Sequence, residues 1–243
     1  MKEQKFHYNH NSDFIHHHSP AYLYGREIVF GMQDGMVSVI GALTGIAVGT
    51  NDHFVVLLSG TAIIAIGAIS MAIGTFTSLG TERKMQQRML FEEQTEISRS
   101  PKEERKEIET YFLKGGWPKD MAEKMAECAS GDDTLMLNEM AYRELSIVPE
   151  KKSHPIKNSI AMFFAWFAGG SIPLLPYFFF PVGTGIYVSA GITLFGLFLL
   201  GVITSRYTKQ NPFMAGLTIF LLAGMAIIAG YSIGRFADMF IPH

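Results

Sequence analysis

An aspartate inside an apolar stretch is the first residue of this sequence placed to do chemistry: Asp34, in Gln33-Asp34-Gly35. An ionisable group within a bilayer costs at least about 2.5–3.5 kcal/mol, so it normally faces a polar path or a partner. No Lys or Arg sits at a comparable depth to pair with it. The plainer alternative is an interfacial Asp wetted at the end of its span, about two turns in. Met71, in Ile69-Ser70-Met71-Ala72, falls in a stretch from Phe54 to Leu79 that has no Asp, Glu, Lys, Arg or His. A membrane Met usually only packs. Beside a carboxylate, however, its thioether is a soft ligand suited to a transition metal.

A second pattern lies further on. Glu82, Met85, Met89, Glu93 and Glu96 are offset from the first by 3, 7, 11 and 14 residues, which on a helix confines them within about 60°. Carboxylates in such a stripe repel one another unless a cation or a basic partner sits among them. Met136, Met140 and Glu144 follow at i, i+4 and i+8, again one face. Where the two faces meet, carboxylate oxygens and thioether sulfurs converge. Solvated glutamates with core-filling methionines are the ordinary alternative. Against it, an amphipathic helix would place Glu and Met on opposite sides instead of interleaving them.

Five histidines, His7, His10, His16, His17 and His18, enrich the N-terminal arm; such tracts bind metals weakly. No His occurs between Phe54 and Ser153, so that stretch lacks the Glu-x-x-His pairs of di-iron bundles. A single cysteine excludes a disulfide scaffold, and Cys128 reads as a small, partly buried thiol. Neither a phosphate loop nor a G-x-S-x-G elbow is present, which leaves ATP-driven pumping and serine hydrolysis without support. No nucleophile–base pair suggests an intramembrane enzyme. The net charge of −2 and the lack of a long basic patch argue against a nucleic-acid partner.

The elements that must position these residues follow from how charge is distributed. Of the 22 acidic residues, 16 lie between Glu82 and Glu150, so apolar spans are interrupted by one water-soluble insert. Five segments are long and apolar enough to cross a bilayer, which takes about 20 helical residues. They run near 27–49, 54–79, 156–180, 185–204 and 213–236. Residues 50–53, 181–184 and 205–212 form the short links. With the N-terminus inside, 19 of the 20 Lys and Arg fall on the inner side and only Arg235 outside, which places the insert in the cytosol. The insert reads as four helices: 81–97 continuing the second span, one from Ser100-Pro101 with Glu103 completing a capping box, one from Pro118, and one from Gly131-Asp132-Asp133 to Ile147. Gly41, Gly45 and Gly49 permit close helix contact in the first span. Gly169-Gly170 with Pro173 and Pro176 breaks the third, freeing carbonyls that must find partners or line a cavity.

Gln33-Asp34-Gly35, Gly67-Ala68-Ile69-Ser70-Met71 and the run from Gly169 to Tyr177 (GGSIPLLPY) together resemble the vacuolar iron transporter family, across about Arg26 to Arg235. The resemblance implies a homodimer in the lipid bilayer, with an ion path between the first two spans of both copies and a cytosolic helical metal collector. It places the pathway Asp on Asp34 and the pathway Met on Met71. It places collector ligands on Glu82, Glu93, Glu96, Met140 and Glu144, with Met85 at a usually acidic position. It also implies export of Fe(II) or Mn(II) from the cytosol in exchange for protons. Two positions depart from the pattern: Ile63 stands where a second-span Glu is common, and Gly74-Thr75-Phe76 where bacterial relatives have Gly-Glu-Tyr. Asp34 is left as the obvious titratable group of the path.

The expected molecule is therefore all-α and polytopic. It comprises a polar His-rich arm (1–25), spans 1–2 (26–79), a cytosolic metal-binding domain (80–155) and spans 3–5 (156–243). Its expected function is transport of divalent iron or manganese out of the cytosol, with no prosthetic group; the competing expectation is a membrane-anchored metal buffer or sensor. No cleavable signal peptide is evident, and the short arm favours a bacterial inner membrane over a vacuole.

Overall fold

The computed structural model describes residues 20–147 and 154–240, except the side chains of 20–23, 207 and 208. Most of the arm, including His7, His10 and His16 to His18, lies outside the described residues. The described residues are all-helical: α1 (Pro20–Thr50), α2 (His53–Arg99), α3 (Pro101–Lys114), α4 (Lys119–Ser130), α5 (Asp133–Arg143), α6 (Pro155–Leu174), α7 (Val182–Thr208) and α8 (Pro212–Phe240). Five of them, α1, α2, α6, α7 and α8, are long and apolar enough to cross a membrane. The short helices α3 to α5 lie between the second and third of these.

Two compact units divide the chain: Met1–Ala72 with Asn158–His243, and Ile73–Lys157. In the first, the main core joins Val39, Leu43 and Ala47 of α1, Val56, Ile64 and Ala68 of α2, and Trp166 and Leu174 of α6. A smaller cluster joins Met36 to Leu197, Leu200 and Ala223. Helices α1 and α8 meet backbone to backbone. A Cβ on Gly45 would lie 3.0 Å from the Gly230 carbonyl oxygen, and one on Gly230 would overlap the carbonyl oxygen of Gly41. The glycine run read in the first span is thus matched by Ala226, Gly230 and Gly234 of the same chain. Large side chains such as Phe164, Phe195 and Ile228 are exposed, as expected where lipid is the solvent.

Local chemistry sets the helix ends. Asn51 takes the left-handed conformation (φ 48°) between α1 and α2, and Asp52 Oδ1 accepts the Val55 N–H at 3.0 Å. Lys209 (φ 53°) ends α7, three residues beyond the span's polar exit at Arg206. The break after α6 is a 3-10 turn, Leu175–Phe178, and the Ser189 hydroxyl donates to the Pro173 carbonyl at 2.6 Å. That carbonyl is therefore capped by α7.

The insert's core is formed by Ile97, Ile108, Phe112, Ala122, Ala126, Ala129, Met136 and Met140. Asp132 caps α5, accepting from Thr134 N at 2.8 Å and Leu135 N at 3.1 Å. Three expectations need correcting here. The fourth insert helix ends at Arg143, not near Ile147, because Ser146 turns left-handed (φ 54°) and Ile147 N folds back to the Ala141 carbonyl. Ser100 is the N-cap of α3 without a side-chain cap bond; its N–H, which Glu103 would have taken, already donates to the Glu96 carbonyl at 2.8 Å. Cys128 is exposed, because the alanines at 122, 126 and 129 occupy the buried face of α4.

Candidate functional site

In the membrane unit, Asp34 sits on α1 next to Gly35, where the chain needs a residue without a side chain. A Cβ there would fall 2.5 Å from the Trp166 carbonyl oxygen and 2.8 Å from Gly170 N. Close approach of α6 brings Trp166, 4% exposed, onto the carboxylate: its Nε1–H donates to Asp34 Oδ2 at 2.8 Å. The other oxygen, Oδ1, accepts from the Ser38 hydroxyl at a long 3.4 Å. Helix α2 holds the indole from its far side, since Gly67 leaves space that a Cβ would take from the ring. One turn on, Met71 packs against the cluster that contains Trp166, as does Ile63. Asp34 and Met71 thus border one apolar cluster, with a carboxylate on α1 and a thioether on α2.

A second carboxylate of α1 was not singled out by its sequence context. Glu27 is 3% exposed and accepts from Asn158 Nδ2 at 3.0 Å, with Arg26 at 3.6 Å. It lies seven residues before Asp34, on the same side of the helix. That spacing was the available signal; its α6 partner, 131 residues away, was not.

The polar part of α2, beyond the apolar crossing that ends near Leu79, carries the stripe. Its C-terminal half joins other helices. Glu93 is 4% exposed, and its Oε1 is buried with no hydrogen-bond partner among the described residues. Burial first, then the negative charges of Glu144, Glu104, Glu96 and Glu107, push its carboxyl up to about 7. Burial first, then Glu107 and Glu96, also raise Glu104 and Glu144. Tyr111 donates to Glu107 Oε1 at 3.5 Å. A buried carboxylate without a donor, surrounded by like charges, is an arrangement that a divalent cation would neutralise.

Of the expected ligands, Glu93, Glu96 and Glu144 come into one electrostatic neighbourhood, and Glu104 and Glu107 of α3 join them. Glu82, Met85 and Met89 instead line a separate open groove of about 560 Å³, together with Leu145, Ser146 and Ile147. The division has a geometric cause: a stripe of 14 residues is roughly 21 Å long, more than one neighbouring helix end covers. Met140, fully buried, belongs to the apolar core. Among the described residues, no three His, Cys, Asp or Glu side chains are spaced to hold a metal ion as they stand.

The VIT family model matches residues 25–235. The chain is 26% identical over 226 residues to vacuolar iron transporter 1 of Oryza sativa subsp. japonica, covering 90% of each chain. It is 29% identical over 238 residues to the vacuolar iron transporter of Plasmodium berghei (strain Anka), covering 92% of this chain and 87% of that one. With vacuolar iron transporter 1 of Arabidopsis thaliana it shares 25% identity over 211 residues, or 86% and 84% of the two chains.

Proposed function

The chain belongs to the VIT family, and we propose on that premise that it exports divalent iron or manganese from the cytosol. The observation that carries this reading is Asp34: a carboxylate inside a membrane-crossing helix whose only short hydrogen bond among the described residues comes from the neutral indole of Trp166. Among the described residues no cationic side chain is bonded to it, which suits a carboxylate that meets an ion in transit. Met71 supplies a softer contact on α2: oxygen ligands suit Mn(II) and Fe(II), while the thioether tilts the site slightly toward softer ions.

The acidic neighbourhood around Glu93 acts as the cytosolic collector, with Glu96 and Glu144 and with Glu104 and Glu107 added to the expected set. Because like charges hold these carboxyls apart, the arriving ion draws them in. Glu82 and Met85 form a separate, outer contact in their groove. Two copies complete the path, as the family resemblance implies. Exchange for protons would pass through Asp34, since Ile63, where a second-span Glu is common, offers no titratable group. The loss of that second carboxylate favours the competing reading, a membrane-anchored buffer that binds without conducting. Metal-dependent flux of Fe(II) and Mn(II) in proteoliposomes, with internal pH recorded, separates the two. Binding without flux selects the buffer.

A further inference from the structure

Trp166 does more at the membrane site than fill space. It belongs to α6, outside the two helices that carry Asp34 and Met71, yet its Nε1–H is aimed at one oxygen of the carboxylate, Oδ2, at 2.8 Å. The ring has little freedom to leave. Gly67 of α2 lies against it where a Cβ would overlap the indole, and a Cβ on Gly170 would lie 3.4 Å from Cζ3. An indole N–H donates and never accepts, so Trp166 cannot itself ligate a cation. It can only occupy part of the carboxylate. Oδ1 is the less constrained oxygen, with a single long contact to the exposed Ser38.

We propose, resting on the transport reading above, that Trp166 is a specificity-determining positioning residue. By holding Oδ2 it makes Asp34 meet a passing ion through Oδ1 alone. That geometry discriminates between cations. Ca2+ gathers roughly six to eight oxygens and often chelates a carboxylate through both. Octahedral Mn(II) and Fe(II) are served well by one oxygen per carboxylate. A tethered carboxylate therefore costs Ca2+ a contact that the smaller ions do not need.

The test is Mn(II) flux in proteoliposomes with Ca2+ as competitor, read as the ratio of the Ca2+ half-inhibition concentration to the Mn(II) KM. That ratio does not depend on how much of the protein folds, so a merely structural defect leaves it unmoved. Trp166→Phe keeps an aromatic ring and removes the donor. Ca2+ should then compete about tenfold better relative to Mn(II), the lower end of what outer-sphere partners contribute at metal sites. Gly67→Ala, which evicts the indole while Trp166 remains, should move the ratio the same way, and it carries the test if Trp166→Phe does not fold. A ratio unchanged in Trp166→Phe, or moved against Ca2+, overturns the proposal. Displacement of bound Mn(II) by Ca2+ in detergent, followed by electron paramagnetic resonance, gives a readout without flux. It is made with Glu82→Gln, Glu93→Gln, Glu96→Gln, Glu104→Gln, Glu107→Gln and Glu144→Gln present to silence the insert, and the same shift is expected. If the wild type carries no flux, the transport reading fails, and this displacement still decides the role of Trp166.

Discussion

At the scale of single residues, Asp34 and Glu93 are opposite solutions to the burial of a carboxylate. Asp34 receives a short N–H bond, whereas Glu93 has a buried oxygen without a donor and four acidic neighbours. Asp34→Ala should abolish flux while leaving Mn(II) binding to the insert intact, checked by transport and binding stoichiometry on one preparation. For Glu93 the sign follows from its raised value. Its carboxyl titrates near 7 in the fold against an ordinary 4.5, so between those values the folded chain holds a proton that the unfolded chain has released. Stability of the metal-free protein should therefore fall as pH rises from about 4.5 to 7 and level off above. Glu93→Gln should flatten that slope in thermal melts, and Mn(II) should restore stability at pH 7.5 by taking the proton's place. Asp34 and Glu93 were both legible in the sequence, one by its apolar surroundings and the other by helical spacing. Trp166 was not, because its bond to Asp34 spans 132 residues and no periodicity records contacts between helices.

At the scale of elements, apolar length made the spans readable, while their ends followed chemistry that a local reading weighs poorly. Ser100 illustrates this: Ser-Pro-x-Glu spells a capping box, but the last turn of α2 claims the N–H that the box requires. Glu104 and Glu107 escaped notice for a related reason. On α3 they look like ordinary solvated charge until α5 brings Glu144 beside them. The small-residue seam between α1 and α8 is a packing claim with a measurable cost. Gly230→Ala would drive a methyl into the Gly41 carbonyl oxygen, and such overpacking typically costs about 1–3 kcal/mol. A lower melting temperature in detergent is expected, with Gly224→Ala, which meets nothing within 4 Å, as the neutral control. Removing the α5 cap with Asp132→Ala should cost about 1 kcal/mol, read as earlier melting of the metal-free protein.

At the scale of the whole molecule, the proposed function assigns collection and conduction to different parts of the chain, which should then separate under mutation. Glu93→Ala with Glu96→Ala should weaken Mn(II) loading, raising the KM of transport, yet leave flux at saturating metal. Unchanged affinity in that double variant would return the stripe to plain solvated charge. The seam also limits how the transporter can cycle. Where two backbones interlock at Gly41, Gly45, Gly230 and Gly234, neither helix can slide lengthwise past the other without its carbonyls colliding at every step. That close packing opposes shear within the pair, so α1 and α8 are expected to move together as one lever. Asp34 rides on that lever. Exposing it to the opposite compartment then means tilting the pair against α2, so a covalent bridge locking α1 to α8 should be harmless to turnover, and one locking α1 to α2 should arrest it.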